Sequence, residues 1–188
     1  LMTSATITDR LVALSRALIG RIRGGLAQVN VLVSMFFAGM NGSVVADTAT
    51  VGALVLPAMK KAGYPAAFSA AVTGVSSTIG GIIPPSIMMI VLANSTEISI
   101  AALFAAGIIP GVLIGVVIMI INHYFAIKYN FERSDEPFSI RRAGRELYRS
   151  SFALLIPLVL VGSVMGGVAS VVEAGAITAM VALLTGVF

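Results

Sequence analysis

Charge is scarce in this chain. Of 188 residues, 11% are charged and 58% are hydrophobic, where a soluble domain carries roughly 25% charged residues. That leaves too little polar surface to cover a particle in water, and a lipid environment removes the requirement. Cysteine is absent, which excludes disulfides, a thiolate zinc cluster and thiol catalysis. There is a single histidine, His123, and no G-x-S-x-G elbow, so no nucleophile is offered a base and an enzyme is not expected. No G-x-x-x-x-G-K-[ST] loop marks a nucleotide site. No organic cofactor is implied.

What is present is apolar length. Four stretches, 24–59, 66–93, 100–127 and 152–188, carry the hydrophobic excess. A bilayer core of ~30 Å takes about 20 helical residues to cross. A β-barrel strand takes about 10 residues of alternating character, and these runs do not alternate. The fold class read from them is all-α integral membrane with multiple spans. Residues 1–23 are polar and basic with short apolar groups, unlike a signal peptide, and the last residues stop inside an apolar run. Both ends read as cut points in a longer polypeptide.

The net charge of +4 reads as topology rather than as nucleic-acid binding. All 12 basic residues fall in three clusters. Arg10, Arg16, Arg21 and Arg23 precede the first stretch, and Lys60 and Lys61 follow it. Lys128, Arg133, Arg141, Arg142, Arg145 and Arg149 lie between the third and fourth. If 24–59 crosses once, the clusters are split between the two faces. If it enters and leaves by one face, all lie together, and cytoplasmic loops collect Lys and Arg. The second arrangement predicts a re-entrant helical hairpin with its polar tip at Gly39-Met40-Asn41-Gly42-Ser43. Non-helical backbone at such depth is tolerated only when buried in protein or lining a wet cavity, so the tip is a candidate site.

The second stretch is interrupted by Ser76-Ser77-Thr78-Ile79-Gly80-Gly81-Ile82-Ile83-Pro84-Pro85-Ser86. Its prolines remove backbone donors and its glycines loosen the helix. A broken helix frees carbonyls and helix ends, which can hold a small cation or an anionic group. Gly107, Pro110, Gly111 and Gly115 predict a loosely packed or kinked third span. His123, near its cytoplasmic end, reads as interfacial. The segment from Ser139 to Ser151 predicts a helix on the cytoplasmic surface, arginines toward lipid headgroups. Asp47, four residues past the tip, either binds a cation or caps the second leg. Glu173 is either an intramembrane site or a helix-start residue near the outer interface.

These pieces, taken in order, resemble the large membrane subunit of TRAP (tripartite ATP-independent periplasmic) transporters. Gly39 through Asp47 resembles that family's G-x-S-G-S-x-x-A-D hairpin. The likeness continues through Leu56-Pro57-Ala58-Met59-Lys60-Lys61-Ala62-Gly63-Tyr64, Ser76-Ser77-Thr78-Ile79-Gly80, Ile83-Pro84-Pro85-Ser86 and Glu173-Ala174-Gly175-Ala176. Asn41 stands where the family usually has serine, and Ser170-Val171-Val172 replaces its T-P-T.

The resemblance implies half of an inverted-repeat, elevator-type transporter, the second repeat being absent. It implies a multi-pass protein of a bacterial or archaeal inner membrane. The expected function is sodium-coupled symport of organic acids such as C4-dicarboxylates, with a periplasmic substrate-binding protein and a small membrane subunit, separate or fused. Another sodium/anion symporter or a channel with re-entrant hairpins would share these features.

The expected division is 1–23 basic interfacial helix, 24–65 hairpin, 66–93 broken helix, 94–127 outer link and span, 128–151 cytoplasmic segment and 152–188 truncated span. The expected sodium ligands are Asn41, Gly42, Ser43, Ser76, Ser77, Thr78 and Gly80. The expected substrate-facing residues are Asn41, Ser43, Asp47, Pro84, Pro85 and Ser86.

Overall fold

The computed structural model describes residues 4–19, 22–131 and 140–186, and these are helical and without strands. The expectations placed on Arg21 and on 132–139 lie outside the described residues. Eight α-helices follow one another: α1 (Ser4–Ile19), α2 (Gly25–Asn41), α3 (Val44–Lys61), α4 (Ala66–Ser77), α5 (Ile87–Thr96), α6 (Ile100–Lys128), α7 (Ile140–Met165) and α8 (Val171–Gly186). A 3-10 turn, Thr78–Gly81, continues α4.

Helix boundaries follow local chemistry. Gly42 closes α2 in the left-handed conformation (φ 60°), its N–H bonding the Ala38 carbonyl. Ser43 then opens α3 by accepting the Ala46 N–H. Ser86 opens α5 and Ser99 opens α6 in the same way. At α3's end Gly63 is left-handed and the Tyr64 N–H reaches back to the Met59 carbonyl. Glu173 and Ser170 form a reciprocal cap on α8. Ser170 donates its N–H and hydroxyl to Glu173 Oε2, each at 2.8 Å, and the Glu173 N–H donates to Ser170 Oγ at 3.3 Å. Of the two readings left open for Glu173, the structure selects the helix-start role.

The core forms around α2, which is buried on nearly all sides: Ala27, Val29, Val31, Val33, Phe37 and Ala38 are inaccessible or nearly so. A largely apolar helix whose few polar side chains, Gln28, Asn30 and Ser34, are themselves buried belongs in an interior. Around it stand α1, α3, α4, α6 and α7. At the ends of α2 and α3 away from the tip, Tyr64, Phe68, Phe125, Tyr129 and Phe131 gather with ring centroids 4.5–6.2 Å apart. This cluster fastens the α3–α4 turn to the end of α6.

The third stretch departs from expectation. It is one continuous helix of 29 residues, and its glycines mark tight rather than loose packing. A Cβ on Gly107 would meet the Ile82 carbonyl oxygen at 2.5 Å, one on Gly111 would strike Ile83, and one on Gly115 would meet Met35 Sδ at 2.5 Å. Small residues let helix backbones approach closely in membrane proteins.

Among the described residues α6 is the one unbroken helix long and apolar enough to cross a membrane. The pair Ala143–Ser151 and Leu154–Met165, bent by 58°, qualifies as a second if it is one span. The bend turns the arginine-bearing leg of α7 away from its apolar leg. The Arg10 guanidinium donates to the Arg149 carbonyl and the Ser150 hydroxyl to the Arg10 carbonyl, tying that leg to α1.

Candidate functional site

The tip joining α2 to α3 is seated against the interruption that separates α4 from α5. The Gly42 carbonyl accepts the Ile87 N–H at 3.2 Å. A Cβ on Gly42 would overlap the Pro85 carbonyl oxygen. A Cβ on Gly80 would lie 3.7 Å from the Ser43 backbone, and one on Gly81 would reach Val44 at 3.4 Å. The break holds its own shape through Ser86, whose hydroxyl donates to the Gly81 carbonyl at 2.8 Å while it caps α5. Pro84 and Pro85 are buried between these contacts, joined by a cis peptide. Two unwound segments, separated in sequence by α3 and α4, thus meet in a seam of backbone carbonyls and helix starts.

Asn41, Gly42, Ser43, Gly80, Pro84, Pro85 and Ser86 all stand at this seam. Asn41 is half-buried; its Oδ1 accepts the Ser43 N–H at 2.9 Å, and its Nδ2 is buried without a partner. Thr78 stands apart: it is exposed and its hydroxyl donates to the Val75 carbonyl at 2.7 Å.

Ser76, Ser77 and Asp47 belong to a second, deeper layer. The cap of α3 is Ser43, so the capping role left open for Asp47 is already filled. The Asp47 side chain is instead fully buried, both carboxylate oxygens lacking a hydrogen-bond partner, with the Ser77 and Ser34 hydroxyls facing it. Around them runs a buried polar chain. Asn30 Nδ2 donates to Thr73 Oγ1 at 2.7 Å, and the Ser76 hydroxyl reaches Asn30 Oδ1 at 3.3 Å and the Thr73 carbonyl at 3.1 Å. The Ser34 and Ser76 hydroxyls pair at 3.2 Å.

Asn30, Ser34 and Thr73 were not among the residues singled out in the sequence. Their signal was present: Asn30 and Ser34 are spaced i,i+4 on one helix face, as are Thr73 and Ser77 on another. Polar residues repeating at helical spacing inside an apolar run point at each other across an interface. Among the described residues no three His, Cys, Asp or Glu side chains cluster in a way suited to a transition metal. The oxygen-rich groups of both layers suit a hard cation instead.

Comparison with known proteins bears on the whole chain. The family described as "Tripartite ATP-independent periplasmic transporter, DctM component" matches residues 1–188. The sialic acid TRAP transporter permease protein SiaT of Haemophilus influenzae (strain 86-028NP) is 36% identical over 189 residues, covering 100% of this chain and 30% of that protein. The C4-dicarboxylate TRAP transporter large permease protein DctM of Pseudomonas aeruginosa is 34% identical over 187 residues, covering 100% of this chain and 44% of that protein. The 2,3-diketo-L-gulonate TRAP transporter large permease protein YiaN of Escherichia coli (strain K12) is 36% identical over 183 residues, covering 97% of this chain and 43% of that protein. The chain therefore spans less than half the length of these relatives.

Proposed function

Because the chain belongs to the DctM-component family of tripartite ATP-independent periplasmic transporters, we propose that it is part of the large membrane subunit of a sodium-coupled symporter for organic acids. The observation that carries this reading is the tip-to-break contact, Gly42 carbonyl to Ile87 N–H. Discontinuous helices meeting at mid-membrane depth are where secondary transporters hold substrate and coupling ion. On this reading the coupling ion sits at the seam, near Asn41, Gly42, Ser43 and Gly80, and the substrate's anionic group faces the helix starts behind Ser43 and Ser86. The named substrates of relatives, sialic acid, C4-dicarboxylates and 2,3-diketo-L-gulonate, are organic acids, and one relative handles isethionate. A periplasmic binding protein would deliver the substrate and a small membrane subunit would brace the large one. The α2–α3 hairpin, with the broken helix, would move against a scaffold in an inner membrane.

The test is uptake by the complete permease with its small subunit and binding protein in proteoliposomes. An inward sodium gradient should drive accumulation of a labelled organic acid, and collapsing that gradient with an ionophore should stop it. Accumulation unaffected by sodium, or rapid equilibration without accumulation, would refute symport.

The re-entrant arrangement makes its own prediction. If α2 and α3 enter and leave by one face, cysteines placed at Arg23 and Lys61, both exposed, should react with a membrane-impermeant maleimide only from the cytoplasmic side. Reaction from opposite sides would mean that the pair crosses the membrane.

A further inference from the structure

Where α7 packs on α1, four charged side chains meet and their charges do not cancel. Arg145 and Arg149 stand four residues apart on one face of α7, and like charges at that spacing repel. Glu146 answers one of them. Its carboxylate is nearly buried, with Oε1 3.5 Å from Arg145 Nε and 3.7 Å from Arg149 Nη1. Arg10 arrives from α1, its Nη1 donating to the Arg149 carbonyl at 3.3 Å. The Ser150 hydroxyl donates to the Arg10 carbonyl and so fixes where the two helices meet. Three guanidiniums against one carboxylate leave a net charge of +2. The Arg145 and Arg149 side chains are 63% and 62% exposed, and a guanidinium has five N–H donors to give. Apolar surface adjoins this charge. Leu147 and Tyr148, between the two arginines, are exposed, and so are Leu155 and Leu158 beyond the bend of α7.

We propose that Arg10, Arg145 and Arg149 bind the phosphate of an anionic phospholipid, and that this lipid clamps α7 onto α1. Guanidinium forks match phosphate oxygens two at a time. A zwitterionic headgroup carries its own cation and would leave the excess charge unanswered, whereas an anionic one answers it. A soluble anion would use the guanidiniums alone. A phospholipid uses the apolar neighbours as well, because its phosphate sits where charge gives way to acyl chain. Tyr148 has the apolar ring and polar tip that suit that depth, and basic residues next to an apolar span are where anionic headgroups gather. Glu146 holds the two α7 guanidiniums side by side, so the site is oriented before the lipid arrives. α1 leads into the α2–α3 hairpin and α7 into α8, so the clamp acts on the joint between those two parts. The proposal rests on the family's place in a membrane, and not on sodium coupling or on any substrate.

The experiment uses the complete permease with its small subunit, without substrate, in nanodiscs of phosphatidylcholine titrated with phosphatidylglycerol. The thermal unfolding midpoint is followed, and lipid retained after exchange into detergent is counted by native mass spectrometry. Phosphatidylglycerol should raise the wild-type midpoint saturably, and less so at high salt. Arg145→Gln should move the half-saturating phosphatidylglycerol fraction up about fivefold, ~1 kcal/mol for one arginine at the surface. Arg145→Gln with Arg149→Gln should abolish the rise and the retained lipid. Lys61→Gln removes the same charge from an exposed position on α3 and should leave both intact. An unchanged response in the double variant overturns the proposal. So does an equal loss in Lys61→Gln, because the lipid then answers net charge and not this site. So does an equal rise from inorganic phosphate in phosphatidylcholine nanodiscs, because the occupant is then a soluble anion. Should the double variant fail to fold, an unchanged response in Arg145→Gln overturns it alone. Uptake is scored separately, so failure here leaves the symport reading standing, and failure of symport leaves this site standing.

Discussion

Gly42→Ala is expected to reduce uptake by the complete permease about 100-fold or more, equivalent to ~3 kcal/mol, with unfolding also at lower temperature. Two costs add. Gly42 sits at φ 60°, where a residue with a Cβ costs roughly 1–2 kcal/mol. The added carbon would also overlap the Pro85 carbonyl oxygen and approach the Ile87 nitrogen to 3.1 Å. Those are backbone atoms and cannot rotate aside. The tip must lift from the break, breaking the Gly42–Ile87 hydrogen bond on which the site depends.

Gly63 supplies the control. It is also left-handed, at φ 80°, but a Cβ there would meet nothing within 4 Å. Gly63→Ala should bear the conformational cost alone and retain transport within a few-fold. Equal effects at the two positions would mean that strain, and not the seam, is what Gly42 supplies. Wild-type uptake by Gly42→Ala would mean that the tip does not need its seat.

The helical class was legible in the sequence because the apolar runs are long and do not alternate. The turn at Gly42-Ser43 and the interruption after Ser77 were legible because glycine, proline and serine punctuate a helix through known backbone constraints. That the two interruptions touch was inferred only from their being neighbours; their contact depends on packing that no local rule encodes.

Asp47 and the α6 glycines show where such rules fall short. An acid four residues past a turn looks like a cap, and only the structure reveals that Ser43 has taken that role and turned Asp47 inward. Glycines with a proline in a helix look like flexibility, yet they are the contact face of α6. Thr78 stands outside the seam, its hydroxyl returning to its own helix, a competition open to any serine or threonine. Asn30, Ser34 and Thr73 lie within regular helix, where no break in the backbone pattern marks them and only their helical spacing carries the signal.

The second large effect concerns the other side of the break. The seam would open if only the tip held it, because residues 82–86 have few backbone partners of their own. α6 presses on them from the opposite side, with Gly107 against the Ile82 carbonyl and Gly111 against Ile83. Gly107→Ala is therefore expected to lower the unfolding midpoint markedly and remove uptake, since overpacking of a filled interface costs about 1–3 kcal/mol and here one neighbour is a carbonyl that cannot yield. Gly115→Ala should be milder. Its nearest contacts are the sulfur and terminal methyl of Met35, the flexible end of an adaptable side chain.

Gly162→Ala, on α7 with nothing within 4 Å, should be neutral or slightly stabilising, because alanine favours the helix over glycine. The ordering Gly107 worst, Gly115 intermediate, Gly162 harmless follows from what each Cβ would meet. Thermal unfolding of the three purified variants, read beside their uptake, checks it. If Gly107 and Gly115 exchange places, α6 does not clamp the break, and the shape of the unwound segment must come from its own prolines and from Ser86.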